Sequence, residues 1–212
     1  MELFYIALYI PLIPAIIAIF KWSKMNMSQK IFVGLLWFIV VISFSGRAWA
    51  LITSSNNLPF FYTYILGELI MLLLIFRLMF NTGIRDRYWA TLLVGFSLIW
   101  LINVSTGQGW WAFPDYIRAL EATIVLIIII LWFLKMLREK IILQPYKTFE
   151  FWLCAGLLIF FSGNFLLFVF PKYILTAGEE VFEAIWKVNA ILNILLYLMY
   201  TIALLWVKKT VK

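Results

Sequence analysis

Seven stretches of the chain stay apolar for about the length of a membrane crossing, with short polar segments between them. They lie at about 3–20, 31–53, 59–80, 88–104, 115–135, 150–171 and 184–207. Each is close to the roughly 17–25 residues that carry a helix across about 30 Å of hydrocarbon. Runs such as IVLIIIILWFL (124–134) have no period of two, so the in–out alternation of a membrane β-strand is absent. A helix satisfies every backbone group within its own segment, which lipid requires. The pattern therefore predicts an all-α, polytopic membrane protein with seven transmembrane helices forming one domain over 1–212.

Composition agrees with this. Of the 212 residues, 66% are hydrophobic, 19% aromatic and 13% charged, against about 45–50% apolar and about 25% charged in soluble domains. The net charge of +7 is carried by short basic clusters between apolar runs, so no nucleic-acid partner is expected. The sequence has no histidine and a single cysteine, Cys154, inside an apolar run. Neither a metal, a haem nor a disulfide framework is expected from such a chain. Residues 3–20 lack a basic leader and a small-residue cleavage site, and read as a retained first span.

Orientation follows from the basic residues. Lys21, Lys24 and Lys30, then Arg77, Arg85 and Arg87, then Lys135, Arg138, Lys140 and Lys147, then Lys208, Lys209 and Lys212 all fall on one side, thirteen of seventeen. The positive-inside rule makes that side cytoplasmic, with the N-terminus outside and the C-terminus inside, as an odd number of spans requires. The expected location is the cytoplasmic (inner) membrane of a bacterium. The opposite loops, TSSNNLP, NVSTGQGWWAFPD and the acidic TAGEEVFEAIWK, hold Trp110 and Trp111 where interfacial anchors belong.

The phrase Phe44-Ser45-Gly46 near the end of the second span recurs as Phe161-Ser162-Gly163 near the end of the sixth, 117 residues later. If spans one to three and five to seven are two copies, the fourth links them, a parallel three-plus-one-plus-three repeat of the kind small-solute carriers use. Small residues here also let helices approach closely. The copies diverge at the next residue, Arg47 in one and Asn164 in the other.

Polar groups inside apolar helices are expensive and are functional candidates by default. Here they are Arg47, Glu68, Arg118 and Glu121, with the amides Asn103, Asn164, Asn189 and Asn193. Arg47 lies six residues before Thr53, roughly 9 Å from the end of its span, and Glu68 roughly 13 Å into the next. With the predicted orientation all fall in the outer half, above inner halves that are nearly pure hydrocarbon, so an outward-facing polar pocket is expected. Arg118 and Glu121 (i, i+3), Tyr64 and Glu68 (i, i+4) and Asn189 and Asn193 (i, i+4) share helix faces. Arg47, on the adjoining helix of the same hairpin, is the expected partner of Glu68. Lys187 is expected to pair with Glu183 one turn earlier. The charged groups read either as a ligand or proton site or as static ion pairs that fix helix register.

The segments NNLPFFYTYILGELIMLLL (56–74), FWLCAGLLIFFSGNFLLFVF (151–170) and WKVNAILNILLYLMYTIALLW (186–206) resemble an uncharacterised family of seven-helix membrane proteins from Bacteroidetes. That family is similar to the membrane-embedded input regions of sensor histidine kinases. The resemblance is carried by Leu58, Pro59, Tyr64 and Glu68, by Phe161-Ser162-Gly163-Asn164, and by Asn189 with Asn193. It implies a sensory or transport class and a membrane histidine kinase as partner. Many members are expected to have a histidine where this chain has Tyr62, so a proton-sensing role built on that histidine does not transfer.

No catalytic arrangement is visible: there is no Gly-x-Ser-x-Gly, HExxH or P-loop. The chain is therefore expected to be a receptor or sensor rather than an enzyme. It would bind a small polar or anionic ligand through Arg47, Tyr64, Glu68, Arg118, Glu121, Asn164, Asn189 and Asn193, without a cofactor, and signal through a separate partner. A small-solute transporter and a structural subunit of a membrane complex are the alternatives.

Overall fold

A computed structural model of the protein describes residues 2–80, 85–106, 109–139, 144–176 and 178–207, which are helical nearly throughout and contain no β-strand. Lys140, Lys208, Lys209 and Lys212, used above for orientation, lie outside them. The helices are α1 (Glu2–Tyr9), α2 (Leu12–Lys21), α3 (Met27–Thr53), α4 (Leu58–Phe80), α5 (Asp86–Thr106), α6 (Asp115–Glu139), α7 (Phe149–Gly163), α8 (Phe165–Val169), α9 (Pro171–Thr176) and α10 (Glu179–Leu205). Among the described residues six segments are long and apolar enough to cross a membrane: Tyr5–Lys24, Met27–Thr53, Leu58–Phe80, Asp86–Thr106, Asp115–Arg138 and Glu180–Leu205. By length and composition this is a multi-pass membrane protein.

The expected sixth span differs. Its apolar run breaks at Asn164, leaving a 15-residue helix, α7, and a five-residue α8. Fifteen residues reach about 22 Å, short of the hydrocarbon thickness. At Asn164 the backbone (φ −93°, ψ 0°) leaves the α region; its Nδ2 donates to Phe160 O at 3.0 Å, beside the Asn164 N–H that donates to the same oxygen at 3.1 Å. The first span is interrupted too, at Ile10–Pro11, where proline cannot donate to the preceding turn. The last helix begins five residues before the expected 184, so the acidic stretch Glu179–Glu183 forms its first turns.

The chain divides into two compact units, Met27–Glu121 and a second made of Met1–Asn26 with Ala122–Lys212, and the division falls inside α6. In the 27–121 unit the dominant contact is the α3–α4 hairpin. Phe32, Leu35, Leu36 and Ile39 of α3 and Ile65, Leu69, Leu72 and Phe76 of α4 are its buried residues. Gly46 permits the close approach: a Cβ there would stand 3.1 Å from Phe60 Cβ. The end of α4 is tied to the start of α5 by Arg77, whose Nε and Nη2 donate to the two Asp86 oxygens at 2.8 and 2.9 Å.

In the other unit α7 packs along α10, and α1 and α2 also pack on α10. Thr148 starts α7, its Oγ1 accepting from Phe151 N at 3.3 Å. Gly163 plays the part that Gly46 plays in the first unit, since a Cβ there would meet Leu192 Cδ1 at 2.7 Å. Both copies of Phe-Ser-Gly thus place their glycine against the next long helix. Between helices in lipid there is little hydrophobic drive, so close van der Waals packing of this kind carries the association.

Candidate functional site

The strongest polar cluster joins α4 to the start of α6. Tyr64 and Glu68 lie one turn apart on α4, and Arg118 and Glu121 occupy the first two turns of α6. The helix start sets their height: Arg118 N–H closes the first turn onto Pro114 O at 2.9 Å, and Asp115 accepts from Tyr116 N at 3.0 Å. Arg118 Nη1 donates to Glu68 Oε2 at 2.6 Å and also to Glu121 Oε2. Tyr64 Oη donates to the other Glu68 oxygen at 2.7 Å. The guanidinium carbon sits 5.4 Å from the Tyr64 ring centre and 5.9 Å from that of Phe61, and these rings stack on each other.

Glu68, Arg118 and Glu121 are 1%, 2% and 0% exposed. Charges cut off from water to this degree survive only with partners and hydrogen bonds. Two carboxylates here share one guanidinium, so the partners are unequal in number. Glu121 Oε1 is buried and has no hydrogen-bond partner among the described residues.

A layer of aromatic and amide groups adjoins this cluster. Trp100 Nε1 donates to Tyr62 O at 3.1 Å, and Tyr62 Oη donates to Asn103 Oδ1 at 3.4 Å. Trp110 packs edge-on against both Tyr62 and Trp100, with ring centres 5.8 and 5.6 Å apart, while Trp111 remains 59% exposed. Of the two expected interfacial anchors, Trp110 therefore also braces the site. Phe61 and Trp100 escaped the sequence reading, because an aromatic residue in an apolar run carries no sign of what its face meets.

The expected Arg47–Glu68 pair does not form. Glu68 is held by Arg118 and Tyr64, and Arg47 is exposed on α3. The reason is rotation: a helix turns about 100° per residue, so with Gly46 against Phe60 the next side chain faces away from α4. The remaining local pairs are as expected, Arg118 with Glu121, Tyr64 with Glu68, and Lys187 with Glu183 at 2.9 Å.

The amides of the other unit assemble separately. Asn193 Nδ2 donates to Asn189 Oδ1 at 3.1 Å and to Asn189 O at 2.9 Å, Asn189 Nδ2 donates to Asn164 Oδ1 at 3.0 Å, and Asn164 Nδ2 ends the series on Phe160 O. This neutral ladder ties the break after α7 to the middle of α10. The expected site residues thus fall into two groups, Tyr64, Glu68, Arg118 and Glu121 in one and Asn164, Asn189 and Asn193 in the other, with Arg47 in neither. Among the described residues no three His, Cys, Asp or Glu side chains converge as a metal site would require.

Comparison with protein-family models, curated proteins and solved structures finds no match to this chain.

Proposed function

We propose that this protein is a membrane receptor of the sensor type, which reads a small polar signal at Tyr64, Glu68, Arg118 and Glu121 and passes it to a separate membrane partner such as a histidine kinase. In this reading seven segments cross the cytoplasmic membrane, the N-terminus is outside, the C-terminus is cytoplasmic, and the cluster lies toward the outer face. The observation that carries it is the wholly buried group of two carboxylates on one guanidinium, bridging α4 and α6. A static clip between two helices needs one carboxylate per guanidinium; the second one leaves the site poised between two charge states.

The geometry also narrows the signal. Arg118 Nη1 already faces two carboxylates, so an anion arriving there would meet two negative charges, and Arg47 is exposed on α3. A hydrogen-bond donor or a cationic group fits better. Signalling would act through the α4–α6 bridge, whose strength changes with the charge of the cluster.

A small-solute transporter is the second reading, favoured by the equivalent packing of Gly46 and Gly163 in the two hairpins, which supports an internal duplication. The readings separate in proteoliposomes. A receptor shows no solute flux, and its partner's output changes in Glu68→Gln and Glu121→Gln. Flux that these variants abolish would make it a carrier. Variants that change neither flux nor output would leave the cluster a structural fastening in a membrane complex.

A further inference from the structure

We infer that Glu68 and Glu121 hold one exchangeable proton between them, and that this proton is the small donor the site accepts. The inference deepens the receptor reading, although the proton's presence can be tested without any partner.

Three features lead there. The first is charge. With both carboxylates ionised the cluster carries one net negative charge with almost no contact with solvent, an arrangement that costs far more than a neutral one. One proton on the pair brings the sum to zero: one carboxylate, one carboxylic acid, one guanidinium. The second is geometry. Both Glu68 Oε2 and Glu121 Oε2 contact the same nitrogen, Arg118 Nη1, so these oxygens are at most two hydrogen-bond lengths apart. A proton bound to one carboxylate can therefore pass to the other with only a small side-chain adjustment. The third is the lone Glu121 Oε1, buried without a hydrogen-bond partner among the described residues. A bare oxygen on a neutral acid costs much less than one on an ionised carboxylate, so Glu121 is the carboxyl that holds the proton most of the time.

Other occupants fit poorly. A metal cation would stand beside the guanidinium and repel it, and an anion would face two carboxylates. A molecule of any size needs room that residues 0–2% exposed do not offer, whereas a proton needs none. Among the described residues, hydrogen bonds join the pair to the Arg118 guanidinium and the Tyr64 hydroxyl. Asp115 lies one turn before Arg118 on α6, and the Tyr62 hydroxyl is turned to Asn103. Tyr64 is half-buried and donates to Glu68 Oε1, so its hydroxyl is the hydrogen-bonded group through which we route the proton. The proton enters from water and leaves to water, and no other bond changes.

Infrared spectroscopy of the full chain in lipid, in light and heavy water near neutral pH, tests this. The wild type should show a carboxylic-acid carbonyl band that shifts in heavy water. Glu121→Gln should remove it. Glu68→Gln should remove it as well, because Glu121 is then left alone with Arg118 and ionises; this distinguishes a shared proton from one that Glu121 holds by burial alone. Glu150→Gln, at a part-buried carboxyl on α7, should leave the band, and Tyr64→Phe should slow its exchange without abolishing it. A wild type lacking the band, or a band that persists in Glu68→Gln, overturns the inference. If a variant fails to fold, a wild type without the band still overturns the inference. If the band behaves as expected while partner output ignores both glutamine variants, the proton site stands and the receptor reading falls.

Discussion

Among the described residues a charged cluster and a neutral amide ladder each tie helices together, and the two are balanced differently. On α4 and α6 two carboxylates compete for one guanidinium, with one oxygen left over. On α7 and α10 three asparagines hand hydrogen bonds along a ladder that ends on a backbone carbonyl, and nothing charged is involved. The ladder carries no ionisable group, so a change of pH gives it nothing to respond with. The cluster is open by one proton. Polar groups in apolar helices are therefore best judged by whether their donors, acceptors and charges balance, rather than by their presence.

Arg118→Leu should have the largest effect on this comparison. It leaves two buried carboxylates without a counter-charge, and removing one partner of a buried pair costs about 3–5 kcal/mol. Reversible unfolding in lipid nanodiscs or mild detergent would measure it. A loss no larger than that of a surface substitution would mean the cluster is hydrated and the comparison fails.

Next come the two glycines. Gly46→Leu should cost about 1–3 kcal/mol by overpacking, because Phe60 Cβ is fixed to its backbone. Gly163→Leu should cost less, since the Leu192 methyls that it meets can rotate aside. Equal losses in the same unfolding assay would contradict that ordering.

Asn189→Leu breaks the ladder at its centre. Hydrogen bonds between helices in membranes average about 0.6 kcal/mol and reach about 1.7, so a loss of about 1 kcal/mol is expected, well below that of Arg118→Leu. It should leave the infrared carboxyl band unchanged. A cost near that of Arg118→Leu would make the ladder an equal partner in stability.

The smallest effect belongs to Arg47→Ala. An exposed side chain outside both polar groups changes stability by less than about 0.5 kcal/mol, and a drop above about 2 kcal/mol would restore Arg47 to the polar core.

The apolar runs were legible because hydropathy over some twenty residues reports burial in lipid directly. The pairs within one helix were legible too, since i, i+3 and i, i+4 spacing decides which side chains meet. Arg118 with Glu121, Tyr64 with Glu68, and Glu183 with Lys187 are of that kind.

Three things were not legible. The partner of Glu68 lies 50 residues away, and nothing local shows that Gly46 turns Arg47 away from α4. The break at Asn164 is a departure of the backbone at a single residue, which a hydropathy average does not register. The bracing role of Trp110 depends on where Tyr62 and Trp100 put their faces.

Glu68 belongs to Arg118 and not to Arg47, and a pair of double-mutant cycles measured by unfolding in lipid separates the two pairings. Glu68→Gln combined with Arg118→Met should be strongly non-additive, with a coupling above about 1 kcal/mol, while Glu68→Gln combined with Arg47→Met should add to within about 0.5 kcal/mol. Coupling to Arg47 with additivity at Arg118 would make Arg47 the partner of Glu68 instead.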